Sequence, residues 1–363
     1  MRKSLLLRRH ATISYLSSIV VLAVSFISCS RVAEQDLLLF HVKEVGDVQQ
    51  AVTVVPQKAS DALYLAGFVV RGDELITAAG FMADYCVDVV NLSSGDVVRR
   101  LCRKGRGPGE FLSVSPFFSL EDSSITVYDA AVGAVSEIPL DGDPSSVSPK
   151  VRLEAPPGKG TPAIMSTYKL SGPQVLAYNS IQGSAAFVST DTPYYAIYNL
   201  DSGKEEREFR LFDTAPLETV NEEWIRMNTF ALVDCIDDAK GTVCFAMNTM
   251  PVYGFLDIRS GEVRGFRIKG APAYSSEELN MCFTGICSQG RYLYALYFGK
   301  PSSQHQPGAG TVLYKLDWDG RILGKYGLDG LYRGCYATHD ELFLSKVEDS
   351  QTVCLYRLKT SDL

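Results

Sequence analysis

Strand-turn-strand units recur along this chain with a near-constant step, and that recurrence limits the fold more than any single motif does. Glycine turns between β-prone runs stand at Ser94-Gly95, Ser202-Gly203, Ser260-Gly261 and Asp319-Gly320. Gly203 to Gly261 is 58 residues and Gly261 to Gly320 is 59, while the first gap, 108 residues, holds Asp141-Gly142 at the expected missing place. A step in the fifties suits a four-stranded sheet with its loops. Each of these hairpins is preceded by another: Leu63–Val70 with Glu74–Ala79, Ala163–Leu170 with Val175–Asn179, Phe230–Ile236 with Thr242–Met247, Cys282–Cys287 with Tyr292–Phe298, and Cys335–Thr338 with Leu342–Val347. The leading strands are near-continuous apolar runs, as strands covered on both faces should be. The trailing ones carry charge, as Glu206, Arg207 and Glu208 do in Glu205–Leu211.

Five four-strand sets begin near residues 62, 116, 163, 230 and 282, and a sixth near Gly334 ends one strand short. Upstream, Leu37–Lys43 reads as a strand with no set of its own. A ring leaves no open sheet edge if that segment completes the last set beside residues 352–358. The expectation is an all-β, six-bladed β-propeller over residues 37–363, closed by an N-terminal strand.

The second set opens with GRGPGEF at Gly105–Phe111, followed by Pro116–Leu120, Ser124–Asp129 and Ala134–Leu140. Gly105, Gly107, Gly109, Phe111, Pro116 and Tyr128-Asp129 resemble the NHL repeat, which forms propeller blades. The spacing G-x-G-x-G is not the dinucleotide fingerprint, and no helix pattern follows it.

The first residues are basic (Arg2, Lys3, Arg8, Arg9), Ile13–Ile27 is apolar, and Cys29 follows the small residue Ser28. The apolar run is too short to span and the chain then turns polar, which predicts a secretory signal over residues 1–28. A cysteine at the cleavage point resembles a bacterial lipobox, implying lipidation at Cys29 and a linker over residues 29–36. With the closing strand and Gly105–Phe111, this organisation resembles the TolB-like six-bladed propeller lipoproteins of the Bacteroidota. The resemblance implies an exported protein anchored at the outer membrane, facing the periplasm or the cell surface. Removing the four leading basic residues from 35 leaves 31 Lys+Arg against 42 Asp+Glu, a net charge of −11. Such a surface repels phosphate backbones, so nucleic acid is not an expected partner.

The A–B and C–D connections are nearly all tight, the exception being Asp141–Lys150 in the second blade, whereas the long segments fall on the opposite face: 104–115, 155–161, 180–193, 213–229, 270–281 and 299–310. Loop length gathered at one end of a rigid scaffold is where binding usually resides. The leading functional reading is therefore a binding or scaffold module for a protein, peptide or glycan. Its candidate ligand-binding residues are Arg103, Arg106, Glu110, Tyr195, Trp224, Tyr274 and His305, and Phe81 and Tyr85 could extend an aromatic platform. Thr219-x-x-Glu222 and Ser275-x-x-Glu278 both match a capping box, and Val220, Trp224 and Met227 could instead seat a helical turn on the ring.

The alternative is a divalent-cation-dependent hydrolase or lyase, lactonase-like, acting at the central channel. Calcium takes six to eight oxygen ligands. Glu110, Asp129, Asn179, Asp191 and Asn248 are the candidates for it, although Asp and Asn at strand ends also cap turns. On the binding reading no cofactor is expected; on the alternative it is calcium. Three histidines beyond residue 28, His41, His305 and His339, fall in different blades or loops, so neither a zinc site nor a Ser-His-Asp triad is indicated. Eight cysteines follow Cys29; most lie in apolar runs and read as buried thiols, with Cys86/Cys102 and Cys235/Cys244 able to face across hairpins.

Overall fold

The computed structural model describes residues 32–48, 51–60, 67–79, 83–141, 147, 150–154, 164–180, 193–349 and 352–363. Six small sheets stand around an axis. Blade 1 comprises Phe68–Arg71, Glu74–Ala78, Tyr85–Asn91 and Val97–Arg103, and blade 2 comprises Ser119–Leu120, Ser124–Asp129, Ala134–Pro139 and Val151–Arg152. Blade 3 is Ile164–Lys169, Gln174–Asn179, Tyr194–Asn199 and Glu205–Arg210; blade 4 is Leu232–Asp237, Thr242–Met247, Val252–Asp257 and Val263–Ile268. Blade 5 runs through Asn280–Gln289, Tyr292–Pro301, Thr311–Asp317 and Ile322–Leu328, and blade 6 through Leu331–Ala337, Glu341–Val347 and Val353–Lys359.

The repeating turn between the third and fourth strands has a simple chemical cause. An Asn or Asp ends the third strand and its side-chain oxygen accepts the N–H groups that follow. Asn91 takes Ser94 N–H at 2.8 Å, Asn199 takes Asp201 N–H at 2.9 Å, Asp257 takes Arg259 N–H at 2.8 Å, and Asp317 takes Asp319 N–H at 3.0 Å. This side-chain mimic of a backbone turn fixes the reversal. The glycine closing the turn then adopts φ of +77° at Gly95 and +84° at Gly261, which a side chain would disfavour.

The first strand of each blade lines the axis, and the ring is sewn shut between neighbours. The inner strands of blades 4, 5 and 6 pack in sequence, and that of blade 6 packs on that of blade 1. Ser115 Oγ donates to the Met165 carbonyl at 2.9 Å between blades 2 and 3, and Thr284 Oγ1 to the Tyr332 carbonyl at 2.9 Å between blades 5 and 6. Between the sheets lie large buried side chains, among them Tyr128, Tyr178, Phe245, Tyr253 and Tyr314.

Closure departs from the expected register. The strand completing blade 6 is Gln57–Ser60, antiparallel to Leu355–Arg357, not Leu37–Lys43. The residues before it wrap the rim. Leu38 bridges Phe212 beyond blade 3, Val42–Val45 runs parallel to Gly265–Ile268 as a fifth strand on blade 4, and Val52–Thr53 pairs in parallel with Tyr326–Gly327 on blade 5. One strap thus crosses the outer edges of three blades before closing a fourth. The reason is that a sheet edge is a row of unsatisfied N–H and C=O groups, and extended chain reaching the ring from outside pairs with each edge that it passes. Side chains pin the strap: Glu34 to Arg267 at 3.0 Å, Asp47 to Lys325, and Phe40 edge-on to Phe245 at 5.6 Å. The expected linker therefore packs too from Val32 onward, since Val32 lies against the core cluster of blades 3 and 4.

Gly265 marks where the strap lies closest. A Cβ there would stand 2.5 Å from the Phe40 ring and 3.0 Å from the His41 carbonyl oxygen. Gly265→Val is expected to lift the strap, costing about 1–3 kcal/mol in denaturant unfolding. Limited proteolysis should then cut within residues 32–48 before the ring unfolds; an unchanged cleavage pattern would refute this account of the contact.

Candidate functional site

The inner strands enclose a central cavity of about 480 Å3, with all six blades contributing to its wall. Most of the wall is apolar or hydroxylic, as strands buried on both faces require. Within it stands Asp234, from the inner strand of blade 4. Three hydroxyls of blade 3 donate to its carboxylate: Ser166 Oγ at 2.7 Å, Tyr168 OH at 2.8 Å and Tyr195 OH at 2.8 Å. Ser166 and Tyr168 reach it together because residues two apart in a strand share a face. Burial pushes the Asp234 pKa up, and the three hydroxyl donors pull the other way. Burial and the nearby carboxylate also hold Tyr168 and Tyr195 protonated, so they remain donors. No cation among the described residues pairs with Asp234.

Two blades on, Arg333 of the blade 6 inner strand also borders the cavity. Its guanidinium lies 3.3 Å from His305 Nδ1, and the His305 ring sits edge-on to Phe298 at 5.2 Å. Burial, aided by the Arg333 charge, lowers the His305 pKa from 6.5 to about 4. The imidazole is therefore neutral at physiological pH and accepts from Arg333 through Nδ1.

The Gly105–Phe111 loop is a self-contained structural unit. The Glu110 carboxylate folds back to accept Gly107 N–H at 2.8 Å and lies 3.8 Å from Arg103. A Cβ on Gly105 would stand 1.9 Å from that carboxylate, so a side chain there would displace Glu110 from the fold-back. Asp129, with no exposed side-chain surface, accepts Leu112 N–H at 3.0 Å, Ser113 N–H at 3.1 Å and the Lys150 ammonium at 3.0 Å. Lys150 also caps the Phe111 ring at 4.0 Å and donates to the Glu110 carbonyl. The repeat-like residues thus lock the loop between blades 1 and 2. Arg106 and Arg152 remain exposed beside it along a shallow groove.

The long connections do gather on the face where inner strands begin, at 104–118, 211–231, 269–279 and 302–310, while the described A–B turns opposite are tight. Of the expected aromatic platform, Trp224 is 55 % exposed, on the short helix Glu223–Asn228. Ile225 and Val220, not Trp224, turn inward to seat that helix. Tyr195 is committed to Asp234, and Tyr274 is buried with its hydroxyl 2.9 Å from Thr229 Oγ1, so neither offers a ring to a ligand. Phe81, Asp191 and Cys29 lie outside the described residues. Neither capping box forms as expected: the Thr219 hydroxyl donates to the Pro216 carbonyl, and Ser275 caps a bend with no helix behind it.

The cation candidates are not assembled. Glu110 and Asp129 belong to the loop lock, Asn179 donates to Tyr198 OH at 3.4 Å in blade 3, and Asn248 lies in blade 4. No group of three or more His, Cys, Asp and Glu among the described residues is disposed to hold a metal ion. All eight described cysteines are free and only Cys335 is less than buried; Cys235 lies directly opposite Cys244. The residues that sequence reasoning missed are Asp234, Ser166, Tyr168 and Arg333. A signal for the first was present, an acid inside the otherwise apolar inner strand LVDCID.

Fold and site together define a six-bladed β-propeller with a ligand-sized axial cavity. No family model matches the chain, and no curated protein matches it. Among solved structures it is similar to a member of the DUF4221 family from Bacteroides vulgatus, at 10 % identity and TM-score 0.56, covering 90 % of this chain and 97 % of that one. That likeness supports the propeller fold alone. A Bacteroides fragilis protein provisionally named as exported aligns at 13 % identity and TM-score 0.48 over 91 % of this chain and 97 % of its own. BamB from Moraxella catarrhalis aligns at 8 % identity and TM-score 0.39, covering 84 % of this chain and 100 % of BamB.

Asp129→Ala should destabilise the protein by about 3–5 kcal/mol in denaturant unfolding, because it removes the buried carboxylate that holds the Lys150 ammonium and the Leu112 and Ser113 N–H groups. A loss under 1 kcal/mol would contradict the loop lock. His305 binds its proton more weakly folded than unfolded. Its contribution to stability is therefore complete above pH 6.5 and is lost as pH falls toward 4. His305→Asn should flatten stability across that window, and Arg333→Gln should raise the imidazole midpoint followed by NMR.

Proposed function

We propose that this protein is a non-catalytic binding module of the bacterial cell envelope, TolB-like in organisation, exported by residues 1–28 and tethered through a lipid on Cys29. It presents the long-loop face and the mouth of the axial cavity to a protein, peptide or glycan. The observation that carries this reading is the exposed Trp224 among the long connections of a rigid ring: a large aromatic surface held out to solvent on the long-loop face. Exposed aromatic side chains rimmed by polar loops are a common signature of recognition surfaces. The acidic balance of the chain disfavours nucleic acid as the partner. Two of the residues that might have supplied a cation-dependent hydrolase, Glu110 and Asp129, are occupied in holding a loop, which favours binding over hydrolysis.

Two measurements on cells test the proposal. A photo-reactive residue at position 224 should give cross-linked adducts, whereas the same residue at Ala239, on the tight-turn face, should not. Cys29→Ala should move the protein from the membrane fraction to the soluble envelope fraction. Equal or absent cross-linking at the two positions would count against the face assignment, and an unchanged membrane fraction would remove the lipid tether.

A further inference from the structure

Two residues of opposite charge line the axial cavity, and neither has a charged partner among the described residues. Asp234 on the inner strand of blade 4 is met by three neutral hydroxyls, and Arg333 on the inner strand of blade 6 by one neutral imidazole. Both are the third residue of their strands, counted from the long-loop face, and both strands pack against the single inner strand of blade 5 that separates them. Both residues border the same cavity. For Asp234, shut in among three hydroxyls, a charge taken out of bulk water without a counter-charge is costly, and the cost is recovered when a ligand supplies one.

We infer that the cavity binds a short peptide with free termini, its ammonium on Asp234 and its carboxylate on Arg333. This deepens the binding reading above and rests on it.

Three features select this ligand class. The hydroxyls of Ser166 and Tyr195 donate to Asp234 Oδ2, and the Tyr168 hydroxyl is shared between Oδ1 and the Asp234 carbonyl, so their hydrogens are already turned to this residue. What remains for a cation is acceptor capacity on one carboxylate, chiefly at Oδ1, whose side-chain donor among the described residues is the Tyr168 hydroxyl. That suits an N–H donor and falls far short of the six to eight oxygens that calcium requires. At the other pole, a guanidinium presents a planar fork that matches a carboxylate through two parallel hydrogen bonds. Arg333 keeps its exposed surface and has one weak partner, so that fork is free to turn to a ligand.

Size narrows the choice further. Packed sheets stand about 10 Å apart, and two such gaps separate blades 4 and 6, so these charges lie too far apart for the two ends of a single amino acid. An extended chain gains roughly 3.3–3.6 Å per residue, so three residues bridge the poles only with the long Arg333 side chain reaching in to meet the carboxylate. A volume of about 480 Å3 lies within the range of small-ligand sites. The hydroxylic and apolar wall between the poles can accept small, uncharged side chains.

Calorimetry on the purified protein, with trialanine as the probe, tests this directly. Trialanine should bind, and N-acetyl-trialanine and trialanine amide should each bind at least tenfold more weakly. In Arg333→Gln the penalty for amidation should vanish while that for acetylation remains; Asp234→Asn should show the reverse. Arg333 is exposed, so its variant should fold, and the capped peptides interrogate both poles on the unaltered protein if Asp234→Asn does not. Absence of trialanine binding, or binding indifferent to both caps, would overturn the inference. Loss of sensitivity to one cap alone would overturn the two-pole arrangement. If trialanine fails while cross-linking at position 224 succeeds, the ligand class is wrong and the binding face stands; failure of both removes the binding reading as well.

Discussion

Every blade of this protein would expose a row of unpaired amide and carbonyl groups if it stood alone, and the architecture follows from how those rows are covered. Sequential hairpins satisfy the interior edges, but the sixth sheet reaches the end of the chain one strand short. Gln57–Ser60 supplies that strand from the opposite end of the chain and so converts six sheets into a ring. Parallel additions on blades 4 and 5 extend the same solution around the rim, leaving the outer strands of blades 1 and 2 outside the strap's reach. Covering edges in this way blocks sheet-to-sheet association between molecules, the hazard that open sheets carry.

Closure also decides what the middle of the molecule can do. Six inner strands brought to one axis must leave a cavity, and side chains facing it come from segments far apart in sequence. Asp234 and its three hydroxyl partners are separated by 39 to 68 residues along the chain yet meet within 2.8 Å. The same cluster ties blade 3 to blade 4, so it serves the ring as well as the cavity. By contrast, the repeat-like glycine loop, which looks most like a ligand loop in one dimension, spends its polar groups internally on Glu110, Asp129 and Lys150.

How far the molecule could be read in advance differs between elements for physical reasons. The turns at Gly95, Gly203, Gly261 and Gly320 were legible because an Asx-capped reversal is a local interaction, complete within five residues. The inner strands were legible because burial on both faces leaves an apolar run, and alternation of tight and long connections then assigned the two faces. The closing strand was not, because Leu37–Lys43 is more apolar than Gln57–Ser60 and hydrophobicity was the signal followed. Edge pairing needs only backbone groups, which carry no compositional mark. Trp224, Tyr195 and Tyr274 show the same limit for side chains: all three are aromatic residues near loops, and burial alone separates the one that faces solvent from the two that do not.

The chain by itself determined six repeats of four strands, their turns and the end of the ring at which the long connections lie, since each depends on contacts between residues close in sequence. Only the tertiary structure decided which segment closes the ring, how the strap runs and which polar side chains converge on the axis. Those outcomes depend on contacts between blades, whose energies are set by a geometry that exists only after the ring has closed.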